Sequence, residues 1–136
     1  MKTKKALTVK FKSLDELEKE LLDLPKKKVG YIQPKDVILF ESINGFRNFM
    51  TLQKLELLTL IASENPKSVY ELAKMVDRAI APVQKDCNIL AQTGFIIFKK
   101  EKGGRRTMTP KLKFDYDRII VELPQHPYEL SFKAAA

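Results

Sequence analysis

The sequence predicts an α+β fold, and three observations carry that prediction. Residues 6–41 read strand, helix, strand. Residues 51–93 hold three helical periodicities separated by breakers. Residues 95–113 hold two β-rich runs about a Gly-Gly pair.

Composition bounds what this fold can be. The chain has 136 residues, enough for one domain with a small appended unit. Hydrophobic content of 44% supports a real core. The 25 Lys and Arg exceed the 17 Asp and Glu, giving a formal charge of +8. Such a balance suits a polyanionic partner, nucleic acid or an anionic membrane surface. The competing reading is solubility alone. Cys87 is the only cysteine, so an internal disulfide and a cysteine-based zinc cluster are excluded, as expected of a reducing cytoplasm. No apolar run reaches transmembrane length. The opening MKTKKALTVKF lacks the apolar stretch of a signal peptide. The expectation is therefore a cytoplasmic protein with no membrane partner. The closing 134–136 alanines read as an expression scar.

The elements follow in order. ALTVKF, 6–11, alternates Leu7, Val9 and Phe11 onto one face. In SLDELEKELLDL, Ser13 and Glu16 make a capping box, and Leu14, Leu17, Leu21 and Leu22 form one stripe. Pro25 ends that helix. Lys26, Lys27 and Lys28 follow, complementing the helix dipole or, on a competing reading, binding phosphate. Gly30 and Pro34 punctuate a linker, and DVILFE, 36–41, is a second strand. A short helix over 42–50 should turn Ile43, Phe46, Phe49 and Met50 inward. Thr51 opens a longer helix. Its Leu52, Leu55, Leu58, Leu60 and Ile61 cover so much of the circumference that it should be central. Asn65-Pro66 breaks it.

Ser68 and Glu71 form another capping box ahead of Val69, Leu72, Ala73 and Val76. A short turn, 77–79, leads to the next helix, expected to start near Pro82. Proline is tolerated at a first helical position, and Arg78 to Ala81 would then be the lead-in. Gly94 is placed to end that helix. FIIFKK, 95–100, and RTMTPKLKF, 105–113, flank Gly103-Gly104 as a hairpin. DRIIVEL, 117–123, is a further β segment. The tail carries two prolines together with Tyr128, Leu130 and Phe132. It either reaches a second subunit or stays disordered.

Two helices joined by a short turn and followed by a hairpin are the parts of a helix-turn-helix with a wing. The stretch from Glu71 to Phe98 resembles the winged-helix DNA-binding domains of MarR-like predicted transcriptional regulators of archaea and bacteria. The pattern S-x-x-E-L-A is met by Ser68, Glu71, Leu72 and Ala73. Its continuation, V-x-R/K-D-V-x-x-L-x-x-x-G-L-I, is met by Val83, Lys85, Asp86, Cys87, Leu90, Gly94, Phe95 and Ile96. One subgroup places a short strand–helix–strand unit before an L-T-x-x-R-L-E-L-L helix, which here reads from Met50 to Leu58. The resemblance covers most of 6–122. It implies a winged helix-turn-helix with an N-terminal strand-helix-strand elaboration. It further implies sequence-specific binding of double-stranded DNA to regulate transcription, as a two-fold homodimer.

The expected domains are 1–41, a β-α-β unit; 42–123, the DNA-binding domain; and 124–136, an extended tail. The first unit either supplies the dimer surface or completes the core of its own subunit. In the reading helix, Val83, Cys87 and Leu90 are spaced for packing. Arg78, Ala81, Gln84, Lys85 and Asn88 are the expected major-groove residues. Gln and Asn can bond adenine bidentately, Lys can bond guanine or phosphate, and Ala81 is slim enough for a thymine methyl. Ser68, Lys99, Lys100, Lys102, Arg105 and Arg106 are expected on the DNA backbone or in the wing, where Lys111 and Lys113 extend the basic run and only Glu101 opposes it. The Ala79-Ile80-Ala81 lead-in departs from the polar residues common in the family, so base readout should be sparse.

No enzyme signature is present: no P-loop, GxGxxG or nucleophile elbow. His126 is the only histidine, so no metal or cofactor is expected. The alternative function is an antitoxin-like or complex-assembly module whose tail wraps a protein partner such as a toxin. RNA binding ranks last, since no exposed aromatic platform is evident.

Overall fold

The computed structural model describes residues 5–22, 35–100 and 108–123. The chain is mixed α+β. In order come β1 (Ala6–Phe11), α1 (Leu14–Leu22), β2 (Val37–Phe40), α2 (Ile43–Phe49), α3 (Leu52–Glu64), α4 (Val69–Val76), α5 (Ile80–Thr93), β3 (Ile96–Lys100), β4 (Met108–Leu112) and β5 (Arg118–Val121). Two compact units result. Of the described residues, one holds those up to Phe49 together with 118–123; the other holds those between Met50 and Asp117. The sequence boundaries at 41 and 123 placed α2 and β5 with the second unit. Their packing and pairing join them to the first.

The first unit is built on a three-stranded sheet ordered β2-β1-β5, with both pairs parallel. Val9 lies opposite Ile38 on one side and Val121 on the other. The alternation read in β1 holds, with Leu7, Val9 and Phe11 buried and Lys10 exposed. Parallel neighbours need long connections. The one between β1 and β2 includes α1, and the one leading to β5 includes the whole second unit. The Glu16 N–H donates to the Ser13 hydroxyl at 3.2 Å, the predicted cap. The leucine stripe of α1 is only partly covered, since Leu14 is exposed and Leu22 is 83% exposed. In α2 no residue is fully buried, against the inward packing expected of Ile43, Phe46, Phe49 and Met50; all four are half-buried. Phe46 sits edge-on to Phe11 and Phe40, which ties α2 to the sheet.

In the second unit α3, α4 and α5 pack together and the β3–β4 antiparallel pair closes the sheet side. Thr51 caps α3 by accepting from the Lys54 N–H at 3.2 Å. The expectation that α3 is central all round fails. Leu57, Leu58 and Ile61 are buried, but Leu55 is exposed and Leu52 is 84% exposed. The other elements of the unit cover only one side of α3, so an apolar circumference does not by itself make a helix central. Asp77 ends α4 in the left-handed region at φ 54°. The N–H groups of Asp77 and Arg78 donate back to the carbonyls of Lys74 and Ala73, which makes a Schellman turn. Gly94 ends α5 at φ 105° with the same kind of return to Leu90, and Phe95 is fully buried just beyond. The Tyr116 hydroxyl donates to the Phe95 carbonyl at 2.9 Å, and Thr109 donates to the Lys67 carbonyl at 2.7 Å. The first closes the base of the hairpin segment, and the second ties β4 to the loop before α4.

Among the described residues no helix is long and apolar enough to cross a membrane. The predicted Lys26, Lys27 and Lys28 patch, the Gly30–Pro34 linker, the Gly103-Gly104 turn, His126 and the tail with Tyr128, Leu130 and Phe132 lie outside the described residues.

Candidate functional site

The candidate site is the outward side of α5 and the hairpin beside it, all within the second unit. The helix begins two residues earlier than the sequence suggested, at Ile80 rather than Pro82. Pro82 is thus the third helical residue. The first four N–H groups of a helix have no intrahelical partner, so a proline there removes no bond. Ala81 consequently belongs to the first turn and not to a lead-in. Ala79 caps the helix without any side-chain hydrogen bond, and the first turn carries no acid. That end keeps its positive partial charge unopposed.

The two faces of α5 separate as the spacing required. Val83, Cys87 and Leu90 are fully buried. Ala81, Lys85 and Asn88, spaced i, i+4 and i+7, are exposed, with Gln84 half-exposed on their flank. The Gln84 side-chain NH2 donates to the Asn88 side-chain oxygen at 2.9 Å. Burial pushes the Cys87 thiol up to about 11, with Asp86 adding to the rise and Arg78 opposing it. It is an inert packing group at neutral pH.

Arg78 is the remaining residue expected in the major groove. Its guanidinium is held at 3.0 Å by the Asp86 carboxylate, and both side chains are largely buried. The pair clips the turn before α5 to the helix. The Ser68 hydroxyl accepts from the Glu71 N–H at 3.1 Å, while the Glu71 carboxylate accepts from the Lys67 N–H at 3.0 Å. This carboxylate sits at the positive end of α4, where a phosphate would otherwise be favoured.

Lys99 and Lys100 are exposed at the end of β3. Their wing companions Lys102, Arg105 and Arg106 lie outside the described residues. Lys99, Lys111 and Lys113 line a groove of about 270 Å³ together with Ile61, Ile97, Phe114 and Asp115. A second groove, of about 520 Å³, runs between α5 and the hairpin. Tyr70, Ile80, Phe98 and Met108 line it beside Gln84 and Asn88. Sequence reasoning missed this apolar channel. Tyr70, Ile80 and Met108, exposed apolar residues, were its local signal. Among the described residues no three His, Cys, Asp or Glu side chains cluster as a metal site.

Residues 49–121, more than half of the chain, match the family model HVO_A0114. The chain belongs to the HVO_A0114 family. No curated protein and no solved structure matches it. The segment shared with the HVO_A0114 family runs from α3 through β5. The candidate face of α5, the Arg78–Asp86 clip and both grooves therefore all fall inside the HVO_A0114 segment.

Proposed function

We propose that the second unit is a winged helix-turn-helix that binds double-stranded DNA, and that the protein regulates transcription as a homodimer. The observation that carries this reading is the division of α5: one face is wholly buried, and the other is a slim polar strip of Ala81, Gln84, Lys85 and Asn88. Such a helix can enter a major groove about 12 Å wide without unpacking from its own core. The short turn between α4 and α5, the uncapped start of α5, and Lys99 and Lys100 on the adjoining hairpin support it. So does the excess of basic residues over the whole chain. The exposed Leu14 and Leu22 of α1, with Ile120 and Val121 of β5, support self-association through the first unit.

The test is fluorescence anisotropy with a labelled random duplex and a pool of promoter fragments at two salt concentrations. Binding should weaken steeply with salt and favour particular fragments. Lys99→Ala with Lys100→Ala should weaken binding to every duplex and flatten the salt slope by about 1 for each phosphate no longer neutralised. No binding to any duplex at low salt would sink the reading.

A second reading is a protein-interaction module of the antitoxin-like or complex-assembly kind. The apolar groove lined by Tyr70, Ile80, Phe98 and Met108 favours it, because it suits the side chains of a protein partner better than a phosphate. Failure to bind any duplex, together with saturable capture of a protein from the same cells, would establish this alternative.

A further inference from the structure

Strand β5 lies at one edge of the β2-β1-β5 sheet. Its register against β1 fixes which way each peptide group points. Thr8 lies opposite Ile120 and Val9 opposite Val121, and the Glu122 N–H donates to the Val9 carbonyl. The N–H and C=O of one strand residue share a side, and the side alternates along the strand. Arg118, Ile120 and Glu122 therefore turn their backbone groups toward β1. Ile119 and Val121 turn theirs outward, and among the described residues no strand lies along that edge. Natural edges are commonly blunted by a proline or a charge set within the strand. The stretch Arg118-Ile119-Ile120-Val121-Glu122 has no proline and no central charge. Its centre is three β-branched residues, of which Ile120 and Val121 are exposed. A cation stands at one end and an anion at the other.

We propose that β5 pairs with β5 of a second copy, antiparallel and centred on Ile120, so that two three-stranded sheets join edge to edge. The inference rests on the homodimer reading above and not on DNA binding. Hydrogen bonding and charge select this register together. Ile119 of each copy and Val121 of the other then exchange both of their outward backbone bonds. Ile120 meets Ile120 across the two-fold axis as a non-hydrogen-bonded pair, where side chains approach most closely. On the same face Arg118 of each copy stands opposite Glu122 of the other, an opposite-charge pair made twice. An axis one residue earlier sets Arg118 opposite Ile120, and one residue later sets Glu122 opposite Ile120. Both alternatives lose the charge match and bring a charge against an isoleucine. Within its own copy Glu122 lies 3.6 Å from Lys10, but both side chains are exposed and the carboxylate has acceptor sites for a second cation. The same strand is used by both copies, so the contact closes at two and leaves no free β5 edge.

The experiment is sedimentation equilibrium of the full-length protein over a range of concentrations, with circular dichroism to check that each variant folds. The unaltered chain should show a monomer–dimer equilibrium. Arg118→Glu alone and Glu122→Arg alone set like charges opposite each other, and each should weaken the dimer about 10-fold. The double variant restores opposite signs and should regain most of that affinity. An equal mixture of the two single variants should form the heterodimer in preference to either homodimer. A cross-link gives a second, independent readout. Ile120→Cys puts two thiols on the axis, where the Cα atoms of a non-hydrogen-bonded pair are about 4.5 Å apart, within disulfide reach. Mild oxidation should then give a covalent dimer. Arg118→Cys leaves its thiols about 14 Å apart along the strands and should give none. Native Cys87 is buried and does not compete. A dimer that both single reversals leave intact, a double variant no tighter than the singles, or no cross-link through Ile120→Cys would overturn the β5 pairing while leaving the homodimer to another surface. Growth beyond a dimer would overturn it likewise, because a head-to-tail edge contact does not close at two. A chain that stays monomeric at every concentration would overturn the homodimer reading and the pairing with it. Duplex binding is scored separately by anisotropy, so the DNA-binding reading stands or falls on its own.

Discussion

At the residue scale, the side chains nearest the reading face are held by different means. Nη2 of the Arg78 guanidinium is bonded to Asp86, and the Ser68 hydroxyl oxygen accepts from the backbone of α4. Ala81, Lys85 and Asn88 point outward from a backbone fixed by Val83, Cys87 and Leu90. Cys87 gives a pH test of that packing. Burial raises its thiol from an ordinary value of 9.0 to about 11, so the fold favours the neutral form. The resulting stabilisation is complete below about pH 9 and is lost as pH rises through about 11. Tyr116, raised by burial above its ordinary value, acts in the same direction. The urea midpoint should therefore fall between pH 8 and pH 10.5, and Cys87 should resist alkylation by iodoacetamide until the protein unfolds. Rapid labelling of the native protein at pH 8 would contradict the burial.

At the element scale, the turns place α5. The Schellman turn at Asp77 sets where α5 begins, and Gly94 sets where the chain leaves it for the hairpin. Gly94 adopts φ 105°, a conformation that costs any residue with a Cβ. Gly94→Ala should lower stability by about 1–2 kcal/mol. Since Phe95 and Tyr116 share the adjoining bond, the hairpin should loosen first. Amide exchange in β3 and β4 should accelerate more than in α3. Uniform acceleration would show that the turn matters to the whole unit rather than to the hairpin alone.

At the scale of the whole molecule, the first unit is completed by residues far along the chain. The Glu122 N–H donates to the Val9 carbonyl at 2.9 Å, and by alternation the Ile120 N–H also faces β1. Ile120→Pro would delete that donor. It should cost the first unit about 3 kcal/mol and raise amide exchange in β1 and β2, while α3, α4 and α5 keep their protection. Equal loss of protection in both units would mean that they unfold as one. With only two paired strands left, the small sheet has little to stand on.

Much of this was legible in the sequence. The caps at Ser13 and Ser68, the buried triplet of α5, the end at Gly94 and the α+β order were all written in local patterns. Each depends on interactions within a few residues of chain. The start of α5 was misread by two residues, because a proline fits any of the first helical positions and local rules do not choose among them. The polar strip of α5 was legible as a set of residue types, but what each can offer a partner was not. The engagement of Arg78 by Asp86, the exposed side of α3 and the parallel pairing of β5 with β1 belong to the tertiary structure alone. Each joins groups with no fixed relation along the chain, and only packing decides which cation meets which anion, which face stays wet and which strand finds which edge. The sequence by itself determined the elements and the type of surface α5 would carry. The tertiary structure decided which of those side chains are free to touch anything else.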